Sequence, residues 1–418
     1  MKTKARKIGI VNHKTLIVTV DIGKKIQHGY FRSPTGREVK PFAFSNSRKG
    51  FEQFWARILQ FKTHEHLADI VVGFESSGPY AEPLFHFLMN KPVRLVQINP
   101  LHTKRLKELT GNSPNKTDRK DPRVIADVIS LGHALTLVVP QGPAAELRRL
   151  TQARERAIKT RTAIVNRLEH LIFVMFPEFT TVMKTLTSKS ALCVLKRCPT
   201  PDGIVRVGLE SLVILLKEAS RGRVGQHRAE RLFGAAENSI GIGEGKESMV
   251  VEIKHLVNTI EHQNRFIDIV EEQMASYLGQ IPCSGNILSI RGIGLVIASG
   301  LIGEIGDFGA FKTIPEVMKL AGLDLYEISS GRHKGQRHIS KRGRSLLRKL
   351  LFFAAINVVR SDGIMHTPYK RMLDRGMPKT KALVAICRKL LAVIFALVRD
   401  HTEYVADYGQ LAHMQLAA

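Results

Sequence analysis

Cysteine is scarce in this chain. Only Cys193, Cys198, Cys283 and Cys387 occur among 418 residues. No two of them form a C-x-x-C pair, so the sequence lacks the paired spacing of a structural zinc site. Four scattered cysteines indicate reduced thiols in a cytoplasmic protein, and they exclude a dense disulfide framework.

Long hydrophobic runs are also missing. No stretch of about 18 consecutive apolar residues occurs, so the sequence predicts no membrane partner. The amino terminus, M-K-T-K-A-R-K-I-G-I, is basic but has no apolar core of a signal peptide. We therefore expect a cytoplasmic protein.

Acidic residues are strongly outnumbered. Lys and Arg total 63 against 37 Asp and Glu, a formal net charge of +26 that is spread over the whole chain. An enzyme for small acidic substrates needs only a local basic pocket, and ribosomal-type proteins are usually shorter. The charge therefore favours nucleic acid as the partner. The length predicts two or three domains, and a hydrophobic content of 44% is enough to give each a core.

The first part of the chain has the pattern of an α/β domain. Three strands come first, and helices and strands then alternate. The expected strands are 15–20, 27–33, 38–44, 69–74 and 93–98; the expected helices are 47–61, 80–89, 100–109 and 124–131. This order is typical of a ribonuclease-H-like (RuvC-like) sheet, and it is close to that of an actin-like kinase.

The remainder is predicted to be all-α. Long helices over 144–175 and 247–278 flank a stretch, 186–243, that has no recognisable motif. This favours an antiparallel coiled coil with an inserted helical lobe, with an ordinary helical bundle as the alternative. From Ile281 onward the pattern is again mostly helical. We therefore expect domains at 1–142, 143–280 and 281–418.

Four carboxylates are candidates for a metal site. Asp21 and Glu75 end the first and fourth strands, which are neighbours in a ribonuclease-H-like sheet. Asp118 and Asp121 are spaced i, i+3, so their side chains would lie on the same face if both residues were helical. Pro122 instead favours Asp121 as a helix N-cap, with Asp118 ahead of the helix. Four converging carboxylates require cations, and two Mg²⁺ (or Mn²⁺) ions would suit phosphoryl transfer. Structural turns and caps are the alternative.

Two serines precede a basic run. Ser329 and Ser330 stand before Gly331, and from there to Lys349 the chain has eight Lys or Arg and no acid. A hydroxyl in a field of positive charge suits attack on a phosphodiester. A solvated basic loop between two helices is the alternative. The candidate phosphate-binding residues are Arg332, Lys334, Arg337, Lys341 and Arg342.

A second candidate contact is the turn R-G-I-G before an apolar helix over 297–305. It is typical of a helix-hairpin-helix-like turn, in which Gly292 and Gly294 let backbone N–H groups approach a phosphate. An ordinary tight turn between two helices has the same pattern.

Taken together, these blocks resemble a known family. The chain is similar to DEDD-type insertion-sequence transposases (the insertion sequence 110 family), which are related to the Piv invertases and are understood as bridge-RNA-guided serine recombinases. The N-terminal blocks are V-D-I-G, G-F-E-S-S-G-P-Y and K-T-D-R-K-D. The C-terminal blocks are I-R-G-I-G-L-V-I-A-S-G, A-G-L with S-S-G, I-S-K-R-G-R-S-L-L-R and G-M-P-K-T-K-A-L-V-A-I-C-R-K-L. The chain departs from the family at Pro122, where alanine is usual, and at Leu325, where proline is frequent.

The resemblance implies a function and a set of roles. The acidic tetrad falls on Asp21, Glu75, Asp118 and Asp121, and the nucleophilic serine on Ser330, with Ser329 as the alternative. A mainly helical C-terminal transposase domain would contain the serine. The expected partners are donor and target DNA, a noncoding bridge RNA and further copies of the chain, as a homodimer or homotetramer, in the bacterial cytoplasm near the nucleoid.

Four other functions remain open at this point. One is a RuvC-like metal-dependent junction nuclease in which the serines are structural, and another is a DNA invertase. An actin-like sugar kinase is disfavoured by the charge and by the lack of a glycine-rich adenosine segment. The last is a non-catalytic nucleic-acid scaffold.

Overall fold

Two units make up the chain in the computed structural model, which describes residues 11–75, 78–110, 121–327, 335 and 337–405. The first is Met1–Val139 and the second is Pro140–Ala418. Each hydrophobic core cluster takes its residues from one unit only. Within the described chain, no helix is long and apolar enough to cross a membrane.

A six-stranded sheet organises the first unit. Its strands are β1 (Thr15–Asp21), β2 (Ile26–Arg32), β3 (Glu38–Ser45), β4 (Asp69–Glu75), β5 (Arg94–Ile98) and β6 (Leu135–Thr136). They lie in the order β3-β2-β1-β4-β5-β6. β1, β2 and β3 are antiparallel, β4 is parallel to both β1 and β5, and β6 is antiparallel to β5. The run T-L-I-V-T-V-D explains the central place of β1, because β-branched residues suit a strand buried on both faces.

Helices cover both faces of the sheet. They are α1 (Arg48–His64), α2 (Glu82–Met89), α3 (Pro100–Thr110) and α4 (Asp121–Ser130). Ser47 caps α1 by accepting a hydrogen bond from the Gly50 N–H. Side chains alternate along a strand, so Val18 of β1 packs in the core with α1 and α2, whereas Ile17 packs in the core with α4.

Two long antiparallel helices form the centre of the second unit. They are α5 (Gly142–Met175) and α11 (Lys246–Leu278). Arg154 of α5 pairs with Glu271 of α11, and Arg167 of α5 pairs with Glu252 of α11. Residue numbers therefore decrease along α11 as they increase along α5, so the helices are antiparallel. Five short helices lie between them in sequence and share one core with the adjoining ends of α5 and α11: α6 (Phe179–Val182), α7 (Lys189–Arg197), α8 (Pro201–Val207), α9 (Leu209–Ser220) and α10 (Gln226–Glu237). We call residues 178–245 the helical lobe.

The described residues of the rest of the second unit form helices and one small pair of antiparallel strands, which we call the hairpin. The elements are α12 (Ser284–Leu288), α13 (Leu295–Ile305), α14 (Ile314–Ala321), β7 (Leu325–Glu327), β8 (Arg337–Ile339), α15 (Ser345–Val358), α16 (His366–Asp374) and α17 (Lys379–Arg399). No pattern in the sequence predicts the hairpin, because its strands have three residues each and are mostly exposed. The basic stretch therefore does not simply loop from one helix to the next.

Candidate active site

Asp21 and Glu75 are the last residues of neighbouring parallel strands. β1 pairs with β4 up to Val20 opposite Phe74, which makes the two carboxylates the next residues in the same register. The expected adjacency of the first and fourth strands is therefore present. Both side chains are half-buried at the same edge of the sheet.

Both carboxylates lie on the face that α4 covers. Thr19 shares a face with Asp21, and its Oγ1 donates a hydrogen bond of 2.6 Å to the carbonyl oxygen of Pro122, in the first turn of α4. Gly73 shares a face with Glu75. An added Cβ at Gly73 would be 2.3 Å from Cδ1 of Ile129, so glycine is what lets α4 pack this closely.

An ion-pair network fixes the other side of α4. Arg32 in β2 pairs with Asp127 in α4 at 2.5 Å and with Glu38 in β3 at 2.9 Å. Burial lowers the pKa of Arg32, but hydrogen bonds to Asp127 and Tyr30 outweigh it, so the net pKa is raised. The hydrogen bond with Tyr30 holds the pKa of Glu38 below its ordinary value. The network therefore stays charged and holds the helix that begins at Asp121.

Two of the four predicted acids are described with their side chains. Asp118 and the side chain of Asp121 lie outside the described part of the chain. α4 begins at Asp121 with Pro122 in its first turn, where proline is well tolerated. No group of three or more His, Cys, Asp or Glu residues within the described ranges could hold a metal ion. The pair Asp21 and Glu75 does offer the oxygen ligands that Mg²⁺ prefers.

The serines fall between β7 and β8, outside the described residues, as do Arg332 and Lys334. β7 and β8 are antiparallel, with Glu327 opposite Arg337. Those two side chains also form an ion pair of 3.0 Å, which reduces the availability of Arg337 for a phosphate. Lys341 and Arg342 are exposed and form no ion pair within the described chain.

The base of this hairpin is closed by close backbone contact. The Lys341 N–H donates to the Gly322 carbonyl at 3.0 Å, and the Arg344 N–H donates to the Leu320 carbonyl at 2.7 Å. A Cβ at Gly343 would lie 2.3 Å from the Gly322 nitrogen and 2.4 Å from the Leu320 oxygen. Glycine is thus sterically required at position 343, where the chain passes close to the backbone of Leu320 and Gly322.

Sequence reasoning missed the buried cluster beside this base. Glu304 in α13 is only 3% exposed, and Arg148 lies 3.7 Å from its carboxylate. Arg344 donates to the Glu304 carbonyl oxygen. Burial and the nearby Arg148 lower the pKa of Arg344 to about 10, and Glu304 opposes this. The available signal was a single acid within the apolar helix L-V-I-A-S-G-L-I-G-E-I.

The predicted glycine turn connects α12 and α13. Gly292 has φ +103°, which favours glycine, and its carbonyl accepts a hydrogen bond from Asn357. An open groove of about 740 Å³ adjoins Gly294 and is lined by Asp268, Glu271 and Glu272. Glu271 is paired with Arg154, so Asp268 and Glu272 are the carboxylates that make that side of the turn unfavourable for a phosphate.

Comparisons with known proteins define the class of protein. A DEDD-type model described as a transposase matches residues 18–177, and a model described as the transposase IS116/IS110/IS902 family matches residues 284–370. The chain is 25% identical to the insertion element IS110 uncharacterized 43.6 kDa protein of Streptomyces coelicolor, over 96% of this chain and 97% of that protein. It is 25% identical to the insertion element IS900 uncharacterized 42 kDa protein of Mycobacterium paratuberculosis, over 69% and 73%. It is 31% identical to the pilin gene-inverting protein of Moraxella bovis, over 28% and 37%.

The α/β unit with paired carboxylates at one sheet edge, followed by a mostly helical region, is that of a transposase, an enzyme that cuts and joins DNA. The chain belongs to the IS110 family of DEDD-type transposases.

Proposed function

We propose that the chain excises and inserts a mobile DNA element through a serine nucleophile, Ser330, and a metal-binding tetrad of carboxylates in a ribonuclease-H-like domain. The observation that supports this best is the convergence of Asp21, Glu75 and the start of α4 on one face, at one edge of the sheet. Two carboxylates at the ends of adjacent strands repel each other, which is unfavourable unless a cation binds between them. A purely structural role would not require this arrangement.

Asp21, Glu75, Asp118 and Asp121 are the residues that would hold the cation. Carboxylate oxygens suit Mg²⁺ or Mn²⁺, and the bound ion would stabilise the charge that develops on the phosphate. The hydrogen bond from Thr19 to the Pro122 carbonyl keeps the start of α4 beside β1, and the ion pair between Arg32 and Asp127 holds the second half of the helix. The described residues therefore hold their part of the site in place before DNA binds.

Ser330 would provide the covalent step. Its Oγ would form a bond to a backbone phosphorus while the bond from that phosphorus to one deoxyribose oxygen breaks, and the released hydroxyl takes a proton. Attack by an incoming hydroxyl on the phosphoserine reverses the exchange, so rejoining needs no external energy source. Lys341 and Arg342, exposed beside the hairpin, are placed to bind phosphate oxygens.

We also propose that a bridge RNA selects the DNA sites by base pairing. The net charge of +26 suits a protein that grips RNA and two DNAs mainly through their backbones. Several copies of the chain, as a dimer or tetramer, would be needed for strand exchange.

Trapping the covalent intermediate tests the proposal. Denatured reactions with element-end DNA should contain protein linked to DNA, and Ser330→Ala should abolish the link and lower recombination by a factor on the order of 10³ or more. Ser329→Ala is the matched control, and it should retain the link. A Ser330→Ala protein that still recombines would contradict the serine mechanism.

The main alternative is a RuvC-like nuclease that hydrolyses DNA junctions with the carboxylates alone. Its supporting observation is the same pair, Asp21 and Glu75. Asp21→Asn would abolish cleavage in both cases. A Ser330→Ala protein that still cleaves junctions, with no covalent link in the parent protein, would favour the nuclease.

A further inference from the structure

A cluster of exposed cations lies where α16 meets α17. We call it the basic corner and define it as Lys370, Arg371, Arg375, Lys379 and Lys381. All five are exposed, and the one acid among residues 366–381 is Asp374. Elsewhere in the same unit, basic side chains such as Arg154 and Arg167 face glutamates. No ion pair found among the described residues involves the corner.

The corner is rigid. α16 ends in the arrangement that favours glycine, with Gly376 at φ +79°. The Gly376 N–H donates to the Leu373 carbonyl at 2.8 Å, and the Met377 N–H donates to the Met372 carbonyl at 3.0 Å. These two bonds form a Schellman motif, and Pro378 at φ −57° then leads into α17. The cations of both helices are thus held on a fixed frame.

Some of these charges are unfavourable for the fold by themselves. Arg371 and Arg375 are four residues apart, so they repel each other along α16. The first turn of α17 contains Lys379 and Lys381, no acid, and no side-chain cap for its open N–H groups. The rest of α17 is anchored by buried residues such as Ile386 and Leu390. Repulsion that the fold leaves uncompensated is relieved when a polyanion binds.

We propose that the basic corner binds the phosphate backbone of double-stranded DNA. Single-stranded nucleic acid is usually held by exposed aromatic side chains on which bases stack. The only Phe, Tyr or Trp in residues 366–381 is Tyr369, and it is partly buried against the core, so it is not an exposed stacking platform. Two helices joined by a short rigid turn suit a regular row of phosphates.

This surface is independent of the serine mechanism. None of its five cations is among the residues proposed for the serine mechanism, although Lys379 and Lys381 lie in the G-M-P-K-T-K block of the family resemblance. The corner would add grip on the duplex and would not select a base sequence, because contacts to phosphates are the same for every sequence.

Salt-dependent binding of a short mixed-sequence DNA duplex to the full-length protein tests the proposal. Lys379→Ala with Lys381→Ala should reduce the magnitude of the negative slope of log affinity against log salt by about 2. Binding near physiological salt should weaken roughly ten-fold. Lys379→Arg with Lys381→Arg preserves the charge and should bind like the parent protein. Lys189→Ala with Lys254→Ala removes two isolated exposed lysines and should keep the slope.

A second variant guards against a folding effect. Arg371→Ala with Arg375→Ala removes two cations from α16 and should reduce the magnitude of the slope in the same way. Its melting temperature should stay close to that of the parent protein. An unchanged slope in both corner variants would overturn the proposal. Weaker binding to a hairpin RNA but not to the DNA duplex would also overturn it, by assigning the corner to RNA. Ser330→Ala should bind normally, so failure of the serine mechanism is distinguishable.

Discussion

At the scale of single residues, Glu178 shows how one carboxylate fixes a chain crossing. Its two oxygens accept hydrogen bonds from the Ser239 hydroxyl at 2.7 Å and from the Ile240 N–H at 3.1 Å. Burial raises the pKa of Glu178, but these two bonds outweigh it and lower the pKa below the ordinary value of 4.5. The return segment of the lobe is thereby tied to the end of α5.

The direction of this shift predicts a pH effect. A carboxylate with a lowered pKa stabilises the fold above its ordinary pKa, and that contribution is lost as the pH falls through the lowered value. Glu178→Gln should cost about 1 kcal/mol near neutral pH and flatten the decline in stability as the pH falls below the ordinary value of 4.5. Denaturant unfolding across that range measures it. The exposed Glu237→Gln is the control, and equal flattening in both variants would refute the assignment.

At the scale of elements, the hairpin that brackets the serines depends on its closed base. The chain passes Gly322 and Gly343 with no room for a side chain at position 343. Arg348 adds a hydrogen bond of 2.9 Å to the Ala321 carbonyl, so the base is held from the α15 side as well.

Gly343→Ala should therefore open this base. The added methyl would meet backbone atoms that cannot rotate away, so we expect a loss of roughly 3 kcal/mol or more and a fall in recombination. Gly285→Ala in α12 is the matched control, because a Cβ there meets nothing within 4 Å. The control should leave stability unchanged or slightly raised. Equal stability of the two variants would show that the backbone around Gly343 can move to accept a side chain.

Much of the element order could be predicted from the sequence. Strands β1 to β5 and the helices α5 and α11 lie within a few residues of their predicted bounds, whereas the two-residue β6 was not predicted. The adjacency of Asp21 and Glu75 could also be predicted, because the first and fourth strands are neighbours in a ribonuclease-H-like sheet and each carboxylate ends its strand. The hairpin β7–β8 and the contact of Arg344 with Glu304 depend on distant residues, so no local pattern indicates them.

At the scale of the whole molecule, the division into two units has an energetic basis. The cores of the first unit, around Val18 and Ile125, contain no residue beyond position 137. The cores of the second unit begin at Ala144. Because hydrophobic burial is the dominant favourable term in folding, each unit has its own source of stability.

We expect a fragment of residues 1–139 to fold alone. Its far-ultraviolet circular dichroism should show a cooperative thermal transition, since its sheet is covered on both faces by its own helices. Val18→Asp in the same fragment places a charge in the core and should abolish the transition. A parent fragment without a cooperative transition would mean that its stability requires the second unit.

The antiparallel course of α5 and α11 has a consequence for how this chain can change over generations. The chain leaves the pair at Met175 and re-enters it at Lys246, and the Ile242 N–H donates to the Val174 carbonyl beside the exit. The two junctions are therefore adjacent, so the chain between them is an insertion with neighbouring ends, and its core also includes residues of α5 and α11 such as Leu168 and Ile253. We expect descendants to vary the exposed turns of this insertion in length while the helix pair keeps its register, and to keep the apolar residues that pack on α5 and α11.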